Sequence, residues 1–163
     1  MSAARGQRGF TLLELIIVIA VIGIVAAIAI PNLIASRKHA QENAAVGNLK
    51  TVIAAQAMFK EQDKEIDLNF DYGNLAELSA YQLLDPILGS GTKGGYLFQV
   101  DYSQTTSEFL WYAVANPIVP QGTGDLYFCC NHRAVVFYTF DQTLLMNNTD
   151  CLIPTFATPV YSR

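Results

Sequence analysis

Glu14 is the most chemically unusual residue of this sequence, because it is the single charged side chain in a long apolar segment. The 21 residues Phe10–Ile30 contain no lysine, arginine or aspartate, and about 20 helical residues cross the hydrocarbon core of a bilayer. A carboxylate within hydrocarbon costs roughly 2.5–3.5 kcal/mol even on lenient insertion scales. We therefore expect Glu14 to have a specific partner.

Cleavage of the chain between Gly9 and Phe10 would create such a partner. No residue from Phe10 to Asn32 offers a cation, but the new α-amino group would lie one helical turn from Glu14 on the same face. This amine could pair with the carboxylate of its own chain or of a neighbouring chain. A carboxylate is costly to bury alone but is neutralised when it packs against this amine. The pairing would then set the register of neighbouring subunits in an assembly.

The stretch Arg8–Leu15 (RGFTLLEL) resembles the class III signal of type IV pilins and pseudopilins. In that family a membrane peptidase cuts after the glycine, and the same enzyme N-methylates the new first residue. The resemblance thus implies cleavage between Gly9 and Phe10, methylation of Phe10, and an assembly role for Glu14, which matches the family's glutamate. Gly23 and Pro31 match a glycine and a proline of the family's helix.

Gly23 and Pro31 weaken the helix that contains them. Proline removes a backbone donor and clashes with the preceding turn, and glycine lowers helix propensity. The two residues predict a kinked helix in the isolated subunit. The resemblance implies local melting of Gly23–Pro31 when subunits pack into a filament, so that the segment could extend under tension.

The function implied by the resemblance is structural and not enzymatic. We expect a type IV pilus subunit that polymerises with itself or with other pilins for adhesion, twitching motility or DNA uptake. Its implied partners are the prepilin peptidase and methyltransferase, the assembly platform and motor ATPases acting in trans. The implied location is the bacterial inner membrane with a periplasmic head, then an extracellular pilus. Arg5 and Arg8 favour a cytoplasmic N-terminus, although Arg37 and Lys38 follow the apolar run.

Two alternatives of the same family stay open. One is a pseudopilin of a type II secretion system, which would assemble a periplasmic pseudopilus. The other is a minor tip pilin whose head binds a surface, with Gln121–Asp125 as candidate contact residues. A simple anchor or a secretory signal cleaved near Ala27–Ala29 fits less well, because the apolar run is long for a signal and contains Glu14.

Composition and charge exclude several other classes of protein. Hydrophobic residues make up 52% and charged residues 15% of the 163 residues, which excludes long intrinsic disorder. The net charge is −4, and −6 without residues 1–9 and their two arginines. An acidic body argues against general nucleic-acid binding, which depends on many basic contacts to phosphates.

The three cysteines predict one disulfide and one remaining thiol in an exported domain. Neighbouring residues of a strand point to opposite faces, so Cys129 and Cys130 cannot both be well placed for Cys151. Cys130 shares the face of Phe128 and is expected to point inward. We predict a bridge from Cys130, or alternatively Cys129, to Cys151, and the resemblance implies that it pins the C-terminal loop.

Further candidate sites for catalysis, metals or cofactors are weak. His39 and His132 lack a convincing nucleophile nearby, and the cysteines with His132 lack the spacing of structural zinc ligands. The loop Gly89–Gly95 lacks the spacing of a phosphate-binding loop and precedes a strand. We expect no catalytic residues, no metal and no cofactor.

The elements that position these residues suggest an α+β protein. One helix from Phe10 to about Gln62 is predicted, with Val46, Leu49, Ile53 and Ala57 on its buried face. A short helix from Asn74 through Leu84, ended by Asp85-Pro86, follows. Period-two patterns predict a four-stranded antiparallel sheet with strands at Tyr96–Ser103, Glu108–Ala115, Leu126–Cys130 and Ala134–Phe140. This arrangement resembles the type IV pilin fold.

These expectations divide the chain into successive segments. They are a leader (1–9), a transmembrane assembly helix (10–30), its amphipathic continuation (31–62), an αβ-loop (63–95), the sheet (96–140) and a C-terminal loop region pinned by a disulfide (141–163).

Overall fold

The computed structural model describes residues 10–62, 71–102, 110–140 and 158–160. The chain divides into two compact units, residues 1–36 and 37–163. The helices are α1 (Leu12–Glu61), α2 (Leu75–Ala80) and α3 (Pro86–Gly89). The strands are β1 (Thr92–Lys93), β2 (Tyr96–Tyr102), β3 (Trp111–Pro117), β4 (Tyr127–Asn131), β5 (Val136–Thr139) and β6 (Thr158–Pro159).

The first unit consists of the apolar beginning of α1. Leucine, isoleucine, valine and alanine dominate it, and nearly all of its side chains are exposed. Within the described residues, α1 is the helix long and apolar enough to cross a membrane. An apolar helix without cover inside its own chain needs lipid or other helices around it.

In the second unit, α1 buries one face against the sheet. Its buried apolar residues recur every three or four positions, as in an amphipathic helix: Ala45, Leu49, Val52, Ala55 and Phe59. The prediction that Ala57 belongs to this face was wrong, since Ala57 is exposed. The buried face is rotated by about one residue toward Gln56 and Phe59.

The strands form one antiparallel meander in the order β1-β2-β3-β4-β5-β6. The four longer strands confirm the predicted set, and β1 and β6 add two-residue strands at the edges. β3 extends beyond its predicted end at Ala115 through Asn116 and Pro117, because both residues pair with β2.

Two short helices replace the single helix predicted for residues 74–84. Asn74 caps α2 as expected, in a reciprocal capping box with Glu77, but α2 ends at Ala80. Asp85-Pro86 begins α3 and does not end a helix. The Asp85 carboxylate accepts from the N–H groups of Ile87 and Leu88, and Pro86 occupies the first turn, where proline is tolerated.

The central strand β4 is buried on both sides. Phe128 and Cys130 lie in the main core with residues of α1, whereas Tyr127 and Cys129 pack beside Val114 on the opposite face. The prediction that Cys130 points inward is confirmed.

Candidate functional site

The start of α1 is a reciprocal hydrogen-bonded cap formed by Thr11 and Glu14. The backbone N–H and the hydroxyl of Thr11 both donate to Glu14 Oε2, at 2.9 and 2.8 Å. The Glu14 N–H donates to Thr11 Oγ1 at 3.2 Å. This is the capping-box pattern of a threonine followed three residues later by a glutamate. The spacing of Thr11 and Glu14 in the sequence is a signal for this cap, and the prediction of a cationic partner for Glu14 did not include Thr11.

The cap uses one carboxylate oxygen of Glu14. Its three hydrogen bonds involve Oε2 or the backbone, and no bond to Oε1 is present among the described residues. Phe10 is exposed and lies before the first helical residue, and Gly9 lies outside the described residues. Thr11 thus holds the carboxylate in a fixed orientation and leaves its second oxygen open to another donor.

Gly23 and Pro31 lie within an unbroken helix. α1 runs through both positions from Leu12 to Glu61. A Cβ added to Gly23 would meet no atom within 4 Å, so the glycine is not required by packing inside this chain. Melting of Gly23–Pro31 on assembly stays a prediction.

In the second unit, the loop between β3 and β4 is held against α1 by two polar contacts. The buried Glu42 accepts the backbone N–H of Asp125 through Oε1, at 2.9 Å. Lys38 Nζ lies 3.0 Å from the Asp125 carboxylate. His39 is exposed, and its Nδ1 lies 3.2 Å from Glu42 Oε2. The loop is therefore anchored at Asp125, while Gln121 and Gly122 are exposed.

Tyr96 fixes the same loop from the sheet. Its side chain is buried, and its hydroxyl donates to the Leu126 carbonyl at 3.0 Å. A Cβ on Gly124 would overlap the Tyr96 hydroxyl, so Gly124 is required by close approach. Burial, and then the negative charges of Glu42 and Asp125, raise the pKa of Tyr96.

We expect the second unit to lose stability as pH rises above about 10, the usual pKa of tyrosine. A pKa of Tyr96 that is higher in the folded state stabilises folding fully below the unfolded pKa, and this stabilisation is lost as pH rises toward the folded value. The Tyr96→Phe variant should show a flatter dependence of unfolding temperature on alkaline pH. Tyr81→Phe, at an exposed tyrosine, is the control and should retain the wild-type dependence.

Described residues of the second unit line two open grooves. The larger, of about 580 Å³, lies between α2, α3 and the sheet and contains Asp101 and Tyr112. The smaller, of about 530 Å³, lies beside Lys38 and Phe140. The described residues contain no cluster of histidine, cysteine, aspartate and glutamate that could hold a metal ion.

Comparisons with known proteins match a motif in the N-terminal segment and several relatives. A family model described as the prokaryotic N-terminal methylation motif matches residues 4–30. The chain is 48% identical over 68 residues to the type IV major pilin protein PilA of Myxococcus xanthus, covering 41% of this chain and 31% of the relative. It is 43% identical over 74 residues to the type IV wide pilus major component PilA4 of Thermus thermophilus, covering 45% and 53%.

The type II secretion system core protein G of Escherichia coli is 29% identical over 117 residues, covering 72% of this chain and 77% of the relative. The chain is thus similar both to type IV major pilins and to a core protein of type II secretion systems. It spans about a third to a half of the length of the first two relatives. No solved structure matches it significantly.

The cysteines of the chain differ from the preferred prediction. Cys129 is disulfide-bonded, and Cys130 is a free, buried thiol, so the preference for Cys130 in the bridge was wrong. Burial raises the pKa of the Cys130 thiol, which suppresses the reactive thiolate. Cys130 points into the core, and the orientation that had suggested a bridge instead keeps its thiol buried. Cys151 lies outside the described residues.

Proposed function

We propose that this protein is a structural subunit of a type IV pilus. The precursor is cleaved between Gly9 and Phe10 and N-methylated at Phe10, and it polymerises through the apolar part of α1. The observation that carries the proposal is an acid held at the start of an exposed apolar helix, within the segment that matches the methylation motif. Cleavage would place an α-amino group beside the open Glu14 oxygen.

The proposed location and partners follow from this assembly. Before assembly the subunit crosses the bacterial inner membrane once with its head in the periplasm, and afterwards it lies in an extracellular filament. The prepilin peptidase and methyltransferase modify it, and a platform protein and motor ATPases drive assembly in trans. Neighbouring apolar helices replace lipid, so transfer from the membrane changes little apolar exposure.

Intact-mass measurement of the chain purified from sheared surface filaments tests the proposal. We expect a mass that corresponds to a chain beginning at Phe10 with one added methyl group. A chain that retains residues 1–9 in assembled filaments, or a mature N-terminus well beyond Phe10, would contradict it.

A secretion pseudopilin is the second candidate, and the coverage of one comparison favours it. The match to the secretion-system core protein G extends over 72% of this chain, further than either pilus relative. Deletion of the gene separates the two functions. Loss of surface filaments with normal export of secreted proteins supports the pilus subunit, and the reverse result supports the pseudopilin.

We further propose that Cys129 pairs with Cys151. Closing a loop of about 22 residues contributes roughly 3 kcal/mol to stability. Cys129→Ser should lower the free energy of unfolding by about that amount, and Cys130→Ala, which leaves the bridge intact, by about 1 kcal/mol. The measurements are denaturant unfolding and thiol titration of the denatured, unreduced chain, where wild type should show one free thiol. Equal losses in the two variants, or three free thiols, would contradict the pairing.

A further inference from the structure

The larger groove of the second unit lies beside β2, along an edge of the sheet that β1 covers only in part. β1 consists of the two residues Thr92–Lys93, and the Phe98 N–H donates to the Gly91 carbonyl just before it, at 2.6 Å. Gly91 itself donates to the Leu88 carbonyl of α3, so the chain turns away from β2 there. Beyond Phe98, no described strand lies beside β2 on this side.

The backbone of Val100 points toward this open edge of β2. Just outside the two strands, the Ile118 N–H donates to the Gly95 carbonyl at 3.0 Å, so these residues form a hydrogen-bonded pair. Along an antiparallel ladder, such pairs alternate with pairs that share no hydrogen bond. Val100 and Ala113 form a pair of the second kind, so the Val100 N–H and C=O point away from β3. Within the described parts of the chain, no group bonds to either of them.

The side chains along the groove are apolar on one face of β2 and acidic on the other. Leu75 and Ala76 of α2 line the groove together with Val100. Asp101, on the opposite face of the strand, is the one charged residue among the described lining residues. It is exposed, accepts the Tyr112 hydroxyl at 3.3 Å, and forms no ion pair with a described residue. A cationic group beside Asp101 is therefore favoured and an anionic group is disfavoured.

We propose that this groove is a docking surface for an extended, basic peptide segment of a partner protein, which adds a strand to β2. Unpaired backbone groups at a strand edge are a template for pairing with another chain. One peptide residue exchanges backbone hydrogen bonds with Val100, and its apolar side chain lies beside Leu75. The next residue, a lysine or arginine, lies opposite Asp101. The groove of about 580 Å³ has the size of a typical ligand site. This docking does not depend on assembly through α1.

A chemical-shift titration of the full, isotope-labelled chain in detergent micelles tests this docking. The probe is a five-residue peptide, TVKVT, capped at both ends, which presents a lysine to Asp101 in either strand direction. The first control peptide, TVEVT, reverses the charge. The second is TVKVT methylated on the backbone nitrogens of both valines, which cannot donate to the Val100 carbonyl.

We expect TVKVT to shift the amide signals of Val100 and Asp101 most strongly. It should bind about fivefold more tightly than TVEVT, because opposite charges stabilise a cross-strand pair and like charges destabilise it. The methylated peptide should lose most of the shift at Val100. The Asp101→Lys variant should reverse the preference and bind TVEVT more tightly.

A pair of variants at Val100 tests the backbone contact from the side of the protein. Val100→Pro removes an N–H that the ladder to β3 does not use, and proline is tolerated at such edge positions. This variant should bind TVKVT about fivefold more weakly than Val100→Ala, which keeps the N–H. If Val100→Pro fails to fold, the methylated peptide still tests the same contact on the wild-type chain.

Three results would overturn the proposal. They are equal binding of the methylated and unmethylated peptides, a charge preference that Asp101→Lys leaves unchanged, and the absence of any shift in β2. Protection of the Val100 amide that rises with protein concentration, without peptide, would identify a second copy of the chain as the occupant and would also contradict it.

Discussion

Replacing Glu14 by glutamine should lower the yield of assembled filaments by about 100-fold or more. In the proposed filament the carboxylate pairs with an α-amino group among apolar helices, and breaking a buried ion pair costs about 3–5 kcal/mol. Each 1.4 kcal/mol corresponds to a factor of about ten in an equilibrium. Glutamine keeps an oxygen that can accept from Thr11, so the Glu14→Gln variant removes the charge and preserves the helix cap. Filaments sheared from cells and quantified by immunoblot measure the effect.

Variants of Thr11 separate the charge from the cap. Thr11→Val removes the hydroxyl at nearly constant shape and should cost about 1 kcal/mol, the usual contribution of an N-cap. Thr11→Ser retains the hydroxyl and should assemble like wild type. If Glu14→Gln assembled normally while Thr11→Val did not, Glu14 would act only as a helix cap. That outcome would contradict the charge pairing on which the register depends.

Local patterns in the sequence predicted the long helix and the four longer strands. The apolar run, with no early helix-ending residue after it, predicted a helix from Phe10 to about Gln62, which is close to the observed α1, Leu12–Glu61. Alternation of apolar and polar residues located β2, where Tyr96 and Phe98 are buried and Leu97 and Gln99 are exposed. Both patterns depend on residues that are close together in the sequence, so one sequence is sufficient to recognise them.

Contacts between residues far apart in the sequence were harder to predict. Whether Cys129 or Cys130 is bridged depends on which face of β4 meets α1. Because a shift of one residue exchanges the two faces of a strand, the sequence does not decide between these adjacent cysteines. The anchoring of Asp125 by Glu42 joins residues 83 positions apart, and no local pattern encodes it. A glutamate on the buried face of a helix signals a hidden partner, but the sequence does not identify that partner.

Gln56→Leu should destabilise the second unit by about 2–4 kcal/mol and lower its unfolding temperature by on the order of 10 °C. Gln56 is fully buried within the helix face that packs on the sheet. Its amide Nε2 donates to the Gly73 carbonyl at 2.6 Å, and its Oε1 accepts the Gly73 N–H at 3.1 Å. Leucine would fill the volume but leave both backbone groups of Gly73 unpaired, and the Phe59 ring restricts the entry of water on one side.

The matched control is Gln62→Leu, the same substitution at an exposed position just after α1, which should change stability by less than about 0.5 kcal/mol. Trp111 fluorescence reports the transition, because its ring contacts Tyr72, next to Gly73. Equal effects of the two substitutions would contradict a stabilising role for the Gln56–Gly73 pair. The helical pattern favours an apolar residue at the position of Gln56. A larger loss of stability at Gln56 would mean that this glutamine instead fixes the start of the segment that leads into α2.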